Sequence, residues 1–313
     1  MHELIERLLV GDRRACARII TLIENNATEK EQLLSELFPH TGKAFVLGIT
    51  GSPGAGKSSL VDSLTSYYRK QDLTIGIIAV DPTSPFSGGA ILGDRIRMQE
   101  HALDKGVFIR SMGTRGSLGG LARATKEAIK TLDAFGRDII LVETVGVGQS
   151  ELDIMAAADT TLVILNPGTG DGIQTIKAGI MEIADVFVVN KCDRDGADKM
   201  AAEVEAMLDL GHGQNCNWRP PVVKTSTLDG RGIPELVQAI NKHKEFCTVS
   251  GEFVERRAKQ LKAEVSEIVE NYLKDMLWSK VGASGEMTQL IEEAGNRKLD
   301  PYTIARRILS VFN

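Results

Sequence analysis

Cysteine is scarce and scattered. Cys16, Cys192, Cys216 and Cys247 form no C-x-x-C pair, so a disulfide framework is not expected, and a reducing cytoplasm or organelle matrix is the fitting compartment. His212 and Cys216 in "GHGQNC" have the spacing to share a helix face and a metal, but no second ligand pair accompanies them, and a polar loop after a helix is the plainer reading. Basic charge is not in excess either. The 37 Lys and Arg against 42 Asp and Glu leave a formal net charge of −5, which argues against sequence-independent binding of nucleic acid. No apolar run is long enough to cross a bilayer, so no membrane partner is expected. The stretch "MHELIERLLVGDRR" has neither the basic region nor the small-residue cleavage site of a signal peptide. What is present is an ordinary globular composition, 42% hydrophobic and 25% charged, over 313 residues. That length suits one large α/β domain with appendages or two modest domains.

Three regions separate by pattern. Residues 1–42 read as a helical extension, with Leu4, Ile5, Leu8 and Leu9, then Ile19, Ile20, Leu22 and Ile23, then Leu33, Leu34 and Leu37 at helical spacing. Residues 43–248 alternate short β-rich runs with amphipathic helices. The runs are "AFVLGIT", "TIGIIAV", "VFIR", "DIILVE", "TTLVIL", "VFVVN" and "PVVKTS". Continuous apolar strands alternating with helices predict a three-layer α/β domain with a mostly parallel central sheet covered on both faces. Residues 249–313 read as a helical arm. There Val254, Ala258, Leu261, Val265, Ile268 and Tyr272 recur close to a heptad seam, either packing on the chain's own α/β domain or pairing with a second subunit. A shorter helix around Glu286 to Ala294 follows, and Asp300 is placed to cap a helix starting at Pro301.

"GITGSPGAGKSSL" follows an apolar strand and opens a helix, the context that G-x-x-x-x-G-K-[ST] requires of a phosphate-binding P-loop. The nucleotide-binding set is Gly51, Ser52, Pro53, Gly54, Ala55, Gly56, Lys57, Ser58 and Ser59. The glycines let successive N–H groups face one concavity, and the helix N-terminus adds a field favourable to phosphate. Lys57 is expected on the β- and γ-phosphates, and the Ser58 hydroxyl on Mg²⁺.

"VFVVNKCD" ends a strand in Asn190, Lys191 and Asp193. A carboxylate at Asp193 accepts from guanine N1–H and the exocyclic N2 amine, and adenine offers neither donor along that edge. Lys191 is expected over the base and the P-loop, with Asn190 tying neighbouring loops together. "KTSTLDGRG" after the next strand supplies backbone N–H groups at Ser226, Thr227 or Leu228 for guanine O6. The expected nucleotide is GTP.

Asp81 ends a strand near the phosphates, and Asp94 follows the glycine-rich stretch of "AVDPTSPFSGGAILGDRIRM". Two carboxylates converging on Mg²⁺ make physical sense, since the cation offsets their repulsion. The alternatives are a turn residue before Pro82 and a helix N-cap. In "LVETVGVGQSE" the strand ends in Glu143 where Asp is usual, and Val147 and Gly148 separate Gly146 from Gln149. No Gln therefore stands where it would orient an attacking water.

The strings "GSPGAGKSS", "VDPTSPFSGGAILGDRIRM", "SMGTRGSLGGLA", "VETVGVGQSE" and "NKCD" together resemble the methylmalonyl-CoA mutase-associated GTPases, the MeaB or ArgK family, over nearly the whole chain. The resemblance implies a P-loop GTPase fold and a homodimer. It also implies a chaperone that gates cofactor loading and protects an adenosylcobalamin-dependent acyl-CoA mutase, without binding cobalamin itself. It implies that Glu143 holds Mg²⁺ directly or through water, that Gly146 offers its N–H to the γ-phosphate, and that "NPGTGDGIQTIKAG" is a third switch facing the mutase, with Asp171 and Lys177 at the contact. A plain βα connection is the alternative for that loop. The catalytic set is then Lys57, Asp81, Asp94, Glu143 and Gly146, and the metal set Ser58, Asp81, Asp94 and Glu143. Two other functions compete. A metal-insertion GTPase usually displays a Cys or His cluster, which this chain lacks, and an ATP-using kinase of a transport protein has no need of Asp193.

Overall fold

The strands form wherever the sequence offers a continuous apolar run. In the computed structural model, which describes residues 2–81, 99–113, 118–144, 152, 155–167, 182–211, 218–284 and 286–309, all seven expected runs are strands of one sheet. They are β1 (Phe45–Gly51), β2 (Ile75–Asp81), β3 (Val107–Gly113), β4 (Ile139–Glu143), β5 (Thr160–Leu165), β6 (Val186–Asn190) and β7 (Val222–Thr225). Their order is β3-β2-β4-β1-β5-β6-β7, and every pairing is parallel. The third strand runs three residues past "VFIR", because its pairing with β2 continues to Asp81↔Gly113.

Alternation along each strand sorts side chains onto two faces. Phe45, Leu47 and Ile49 of β1 join Ile75, Ile77, Leu141, Leu162 and Ile164 in a core covered by α4 (Lys57–Arg69) and a helix at Ile233–Ser250. Val46, Ile78, Val80, Phe108 and Ile140 point the other way, onto a helix at Leu118–Ala134 and the N-terminal helices α1 (His2–Leu9), α2 (Arg13–Glu24) and α3 (Lys30–Leu37). Among the described residues the helices after α4 are, in chain order, α5 (Gln99–Ala102), α6 (Leu118–Ala134), α7 (Ala197–Gly211), α8 (Ile233–Ser250), α9 (Glu252–Ser284), α10 (Glu286–Gly295) and α11 (Pro301–Leu309). Helix α7 buries Met200, Val204 and Leu208 against Phe187 and Val189. Helices on both faces of a parallel sheet make the three-layer α/β architecture. The N-terminal helices are thus part of this unit's core: Leu8, Ile19, Ile20 and Leu37 are fully buried.

Contacts divide the chain into two compact units, Met1–Phe253 and Val254–Asn313. In the second, Leu290, Ile304 and Ile308 form a small core with Leu277 and Leu299. Asp300 caps α11 as its position requires, accepting from the N–H groups of Tyr302 at 2.9 Å and Thr303 at 3.1 Å. On α9 the seam is exposed within the chain: Val254 is 71% accessible, Val265 52% and Tyr272 51%.

The contact of α3 with α6 includes a buried ion pair. Lys30 Nζ lies 3.1 Å from Glu127 Oε1, the two side chains 5% and 6% exposed, and Arg123 Nε reaches the same oxygen at 3.1 Å. Removing one partner leaves a buried carboxylate undercompensated. Lys30→Met should therefore lower the unfolding free energy by about 3 kcal/mol in urea titration, and Lys30→Met with Glu127→Gln should recover most of the loss.

Candidate functional site

Strand order places the site. From β1 the chain passes through α4 to β2 and β3 on one side, and it later crosses to β5, β6 and β7 on the other. A parallel sheet whose order reverses in this way opens a crevice at the carboxyl ends of its strands, beside the reversal. Gly51, Asp81, Glu143, Asn190 and Thr225 are the last residues of β1, β2, β4, β6 and β7. The motif residues that end these strands lie at this one edge.

The P-loop backbone has the geometry that only glycine provides. Gly51 has φ +141° and Gly56 φ +92°, and a Cβ at these positions would lie 2.2 Å from Ile164 O and 2.3 Å from Asn190 Nδ2. Gly56 is also the N-cap of α4 and supplies no side-chain acceptor. The first turn of α4 thus opens on the loop with no cap from its N-cap side chain, an arrangement that suits phosphate. Lys57 is buried, and its Nζ donates to the carbonyls of Gly51 at 2.8 Å and Ser52 at 3.0 Å. Its ammonium is thereby held over the loop concavity.

Ser58 follows, buried, with its hydroxyl donating to Glu143 Oε1 at 2.6 Å. A hydroxyl and a carboxylate at this separation form a charge-assisted bond. They are hard oxygen donors of the kind Mg²⁺ takes together with substrate phosphates and water. A hydroxyl and a carboxylate so placed fit a cation that arrives with a nucleotide. Asp81 ends β2 opposite Gly113, but its side chain lies outside the described residues. So do Asp94, Gly146, Asp171, Lys177, and the His212 and Cys216 pair.

The base-side loops are tied to the P-loop by Asn190. This residue is fully buried, donates from Nδ2 to Ala55 O at 2.8 Å, and accepts at Oδ1 from Thr225 Oγ1 at 3.1 Å. Lys191 is in the left-handed region at φ +59°, and its Nζ donates to Gly54 O at 2.7 Å. A non-glycine residue held there carries strain that the surrounding contacts must offset. Cys192 N–H donates to Thr225 O at 2.9 Å, and Asp193 stands exposed on the loop that follows. The 226–231 loop closes on itself: Ser226 N–H donates to Arg231 O at 2.9 Å, and Arg231 Nε bonds Asp229 Oδ2 at 2.5 Å. With the Ser226 N–H engaged in that closure, Thr227 and Leu228 are the N–H donors left of the three proposed for guanine O6. Thr225 was not singled out by sequence reasoning. Its signal is register: a hydroxyl residue ends β7 directly opposite the strand-ending asparagine, Asn190↔Thr225.

Comparison with known proteins agrees with this geometry. The family model described as methylmalonyl Co-A mutase-associated GTPase MeaB matches residues 16–282. A putative GTPase of Pyrococcus abyssi is 52% identical over 99% of this chain and 96% of its own length. The mitochondrial methylmalonic aciduria type A homolog of Mus musculus is 38% identical over 99% of this chain and 80% of its own. Among solved structures, one described as a LAO/AO transport system kinase superposes with a TM-score of 0.74 at 29% identity, covering 99% of this chain and 97% of that one. With the P-loop, the strand-ending glutamate and the asparagine-braced base loop in one crevice, the chain belongs to the methylmalonyl-CoA mutase-associated GTPase (MeaB) family.

Proposed function

We propose that this GTPase is a chaperone of an adenosylcobalamin-dependent acyl-CoA mutase of the methylmalonyl-CoA type, using GTP hydrolysis to gate cofactor loading and to protect the mutase. The observation that carries the reading is the 2.6 Å contact between Ser58 and Glu143. It joins the phosphate pocket to the last residue of β4, the strand that precedes Gly146 in the chain. Ser58 and Glu143 would hold Mg²⁺ together with the nucleotide, with Asp81 and Asp94 completing the carboxylate set, and the bound cation would supply charge neutralisation for phosphoryl transfer. Lys57 supplies a second cation, and Gly146 donates its N–H to the γ-phosphate.

Hydrolysis by the isolated chain is slow, since Gln149 stands beyond a second glycine and does not orient the attacking water. A docked mutase completes the site through the 166–179 loop, where Asp171 and Lys177 make the contact. The family's description as mutase-associated and the name of the mouse relative support this partner. The exposed seam of α9 supports a homodimer, and the scattered cysteines fit a reducing cytoplasm; no described helix is long and apolar enough to cross a membrane.

Asp193→Asn should weaken GDP binding by roughly a hundredfold while improving xanthine nucleotide binding, because an amide donor meets xanthine's extra carbonyl. Competition against a fluorescent GDP analogue reads both effects, and unchanged guanine preference would place base recognition elsewhere. Single-turnover hydrolysis should accelerate on addition of the cognate mutase, and Lys177→Ala should reduce that acceleration while leaving GTP affinity intact. Equal rates with and without mutase would remove the partner from the mechanism. Sedimentation of the pure chain should give a dimer that Val265→Glu together with Tyr272→Glu converts to monomer.

A further inference from the structure

At the opposite end of the sheet from the nucleotide crevice, two arginines converge on one turn. Arg13, the first residue of α2, donates from Nη1 to the carbonyls of Asp104 at 3.1 Å and Lys105 at 3.4 Å. Arg137, just before β4, donates from Nη1 to the carbonyl of Gly106 at 3.2 Å. Both side chains are half-buried, and each lies over an aromatic ring, Arg13 on Phe108 and Arg137 on Phe135. The two rings are themselves in edge contact at 5.6 Å. Aromatic platforms and main-chain carbonyls therefore fix two planar cations within one turn.

Their charge is not balanced locally. Among the described residues neither guanidinium has a carboxylate within ion-pair distance, and the Nε of Arg137 is buried without a hydrogen-bond partner. The nearby carboxylates are engaged elsewhere. Asp104 takes Arg69 Nε at 2.8 Å and the N–H of Gly106 at 2.7 Å, Asp138 takes the N–H of Thr74 at 2.7 Å and its hydroxyl at 2.6 Å, and Glu24 pairs with Arg110. Cys16, buried in the same cluster, has its thiol pushed up to about 12 by burial, so it remains neutral and adds no compensating charge. Burial lowers the proton affinity of Arg137, and the neighbouring cations Arg13 and Arg69 lower it further. A guanidinium carries five N–H donors in a fixed fork matched to phosphate and carboxylate oxygens. Each of these two has only its Nη1 bonded to protein oxygen.

We propose that Arg13 and Arg137 form an oxyanion site for a phosphate group, either free phosphate or a phosphomonoester, which bridges the N-terminal helices to the sheet. Two cations match a dianion, and a tetrahedral phosphate can engage both forks at once. The bound group would join α2 to the turn before β4, two elements that meet around Phe108, and so tie the helical extension to the domain at the edge remote from GTP.

The test uses the full chain saturated with Mg²⁺ and a non-hydrolysable GTP analogue, so that the P-loop is filled through its γ-position. Inorganic phosphate and, separately, glycerol phosphate are titrated at constant ionic strength, with ³¹P line broadening as the readout. Saturable binding of at least one is expected, and the preferred one identifies the source. Arg13→Gln and Arg137→Gln should each weaken it roughly tenfold, the loss of one charge-assisted hydrogen bond. Arg137→Lys keeps the charge without the fork and serves where the glutamine variant fails to fold; it should weaken binding by several-fold. GTP hydrolysis should be unchanged in all three variants. Absence of saturable binding to the parent chain, or equal affinity in the parent, Arg13→Gln and Arg137→Lys proteins, would overturn the proposal.

Discussion

The side-chain amide of Asn190 is the joint on which the nucleotide crevice depends. One end of it donates to Ala55 O in the P-loop, and the other accepts from Thr225 at the start of the base loop. Both bonds are fully buried, where an unmade partner is costly. The amide also approaches so closely that no side chain fits at Gly56. The phosphate loop, the N-K-x-D turn and the 226–231 loop are therefore one piece of structure, even though the first lies more than a hundred residues from the other two in the chain. Lys191, strained at positive φ and bonded to Gly54 O, reinforces the same union.

Around this joint the sheet performs a second task. It brings Glu143 at the end of β4 against Ser58 in the first turn of α4. One buried charge-assisted bond thereby joins the phosphate loop to the end of β4. The other face of the sheet is closed by the N-terminal helices, whose Ile19, Ile20 and Leu37 share a core with α6 and β3. The extension is thus structural support for strands that carry functional residues at their ends, and the buried Lys30–Glu127 pair fixes how it docks.

Much of this was legible from residue order. All seven strands were readable because a strand buried on both faces must be apolar throughout, as "TTLVIL" and "VFVVN" are. The P-loop was readable because its glycines and Lys57 lie within one short stretch, and the bracing by Asn190 because the strand-ending motif is local. The role of Thr225 was not, since it arises from a parallel register between strands whose connection spans some thirty residues. The engagement of the Ser226 N–H by Arg231 O was hidden for a similar reason, because loop closure is a matter of backbone geometry that composition does not encode.

By itself the sequence determined the periodicities, the turn glycines and the local motifs, because each rests on contacts between residues close along the chain. From these come the fold class, the nucleotide and the strand ends that carry the site. Only the tertiary structure decided which distant groups meet: Glu143 with Ser58, Asn190 with both Ala55 and Thr225, and Arg13 beside Arg137 at the far edge. Those pairings follow from strand order and helix docking. Burial of the whole apolar surface sets that order and docking at once, and no short stretch of residues specifies them.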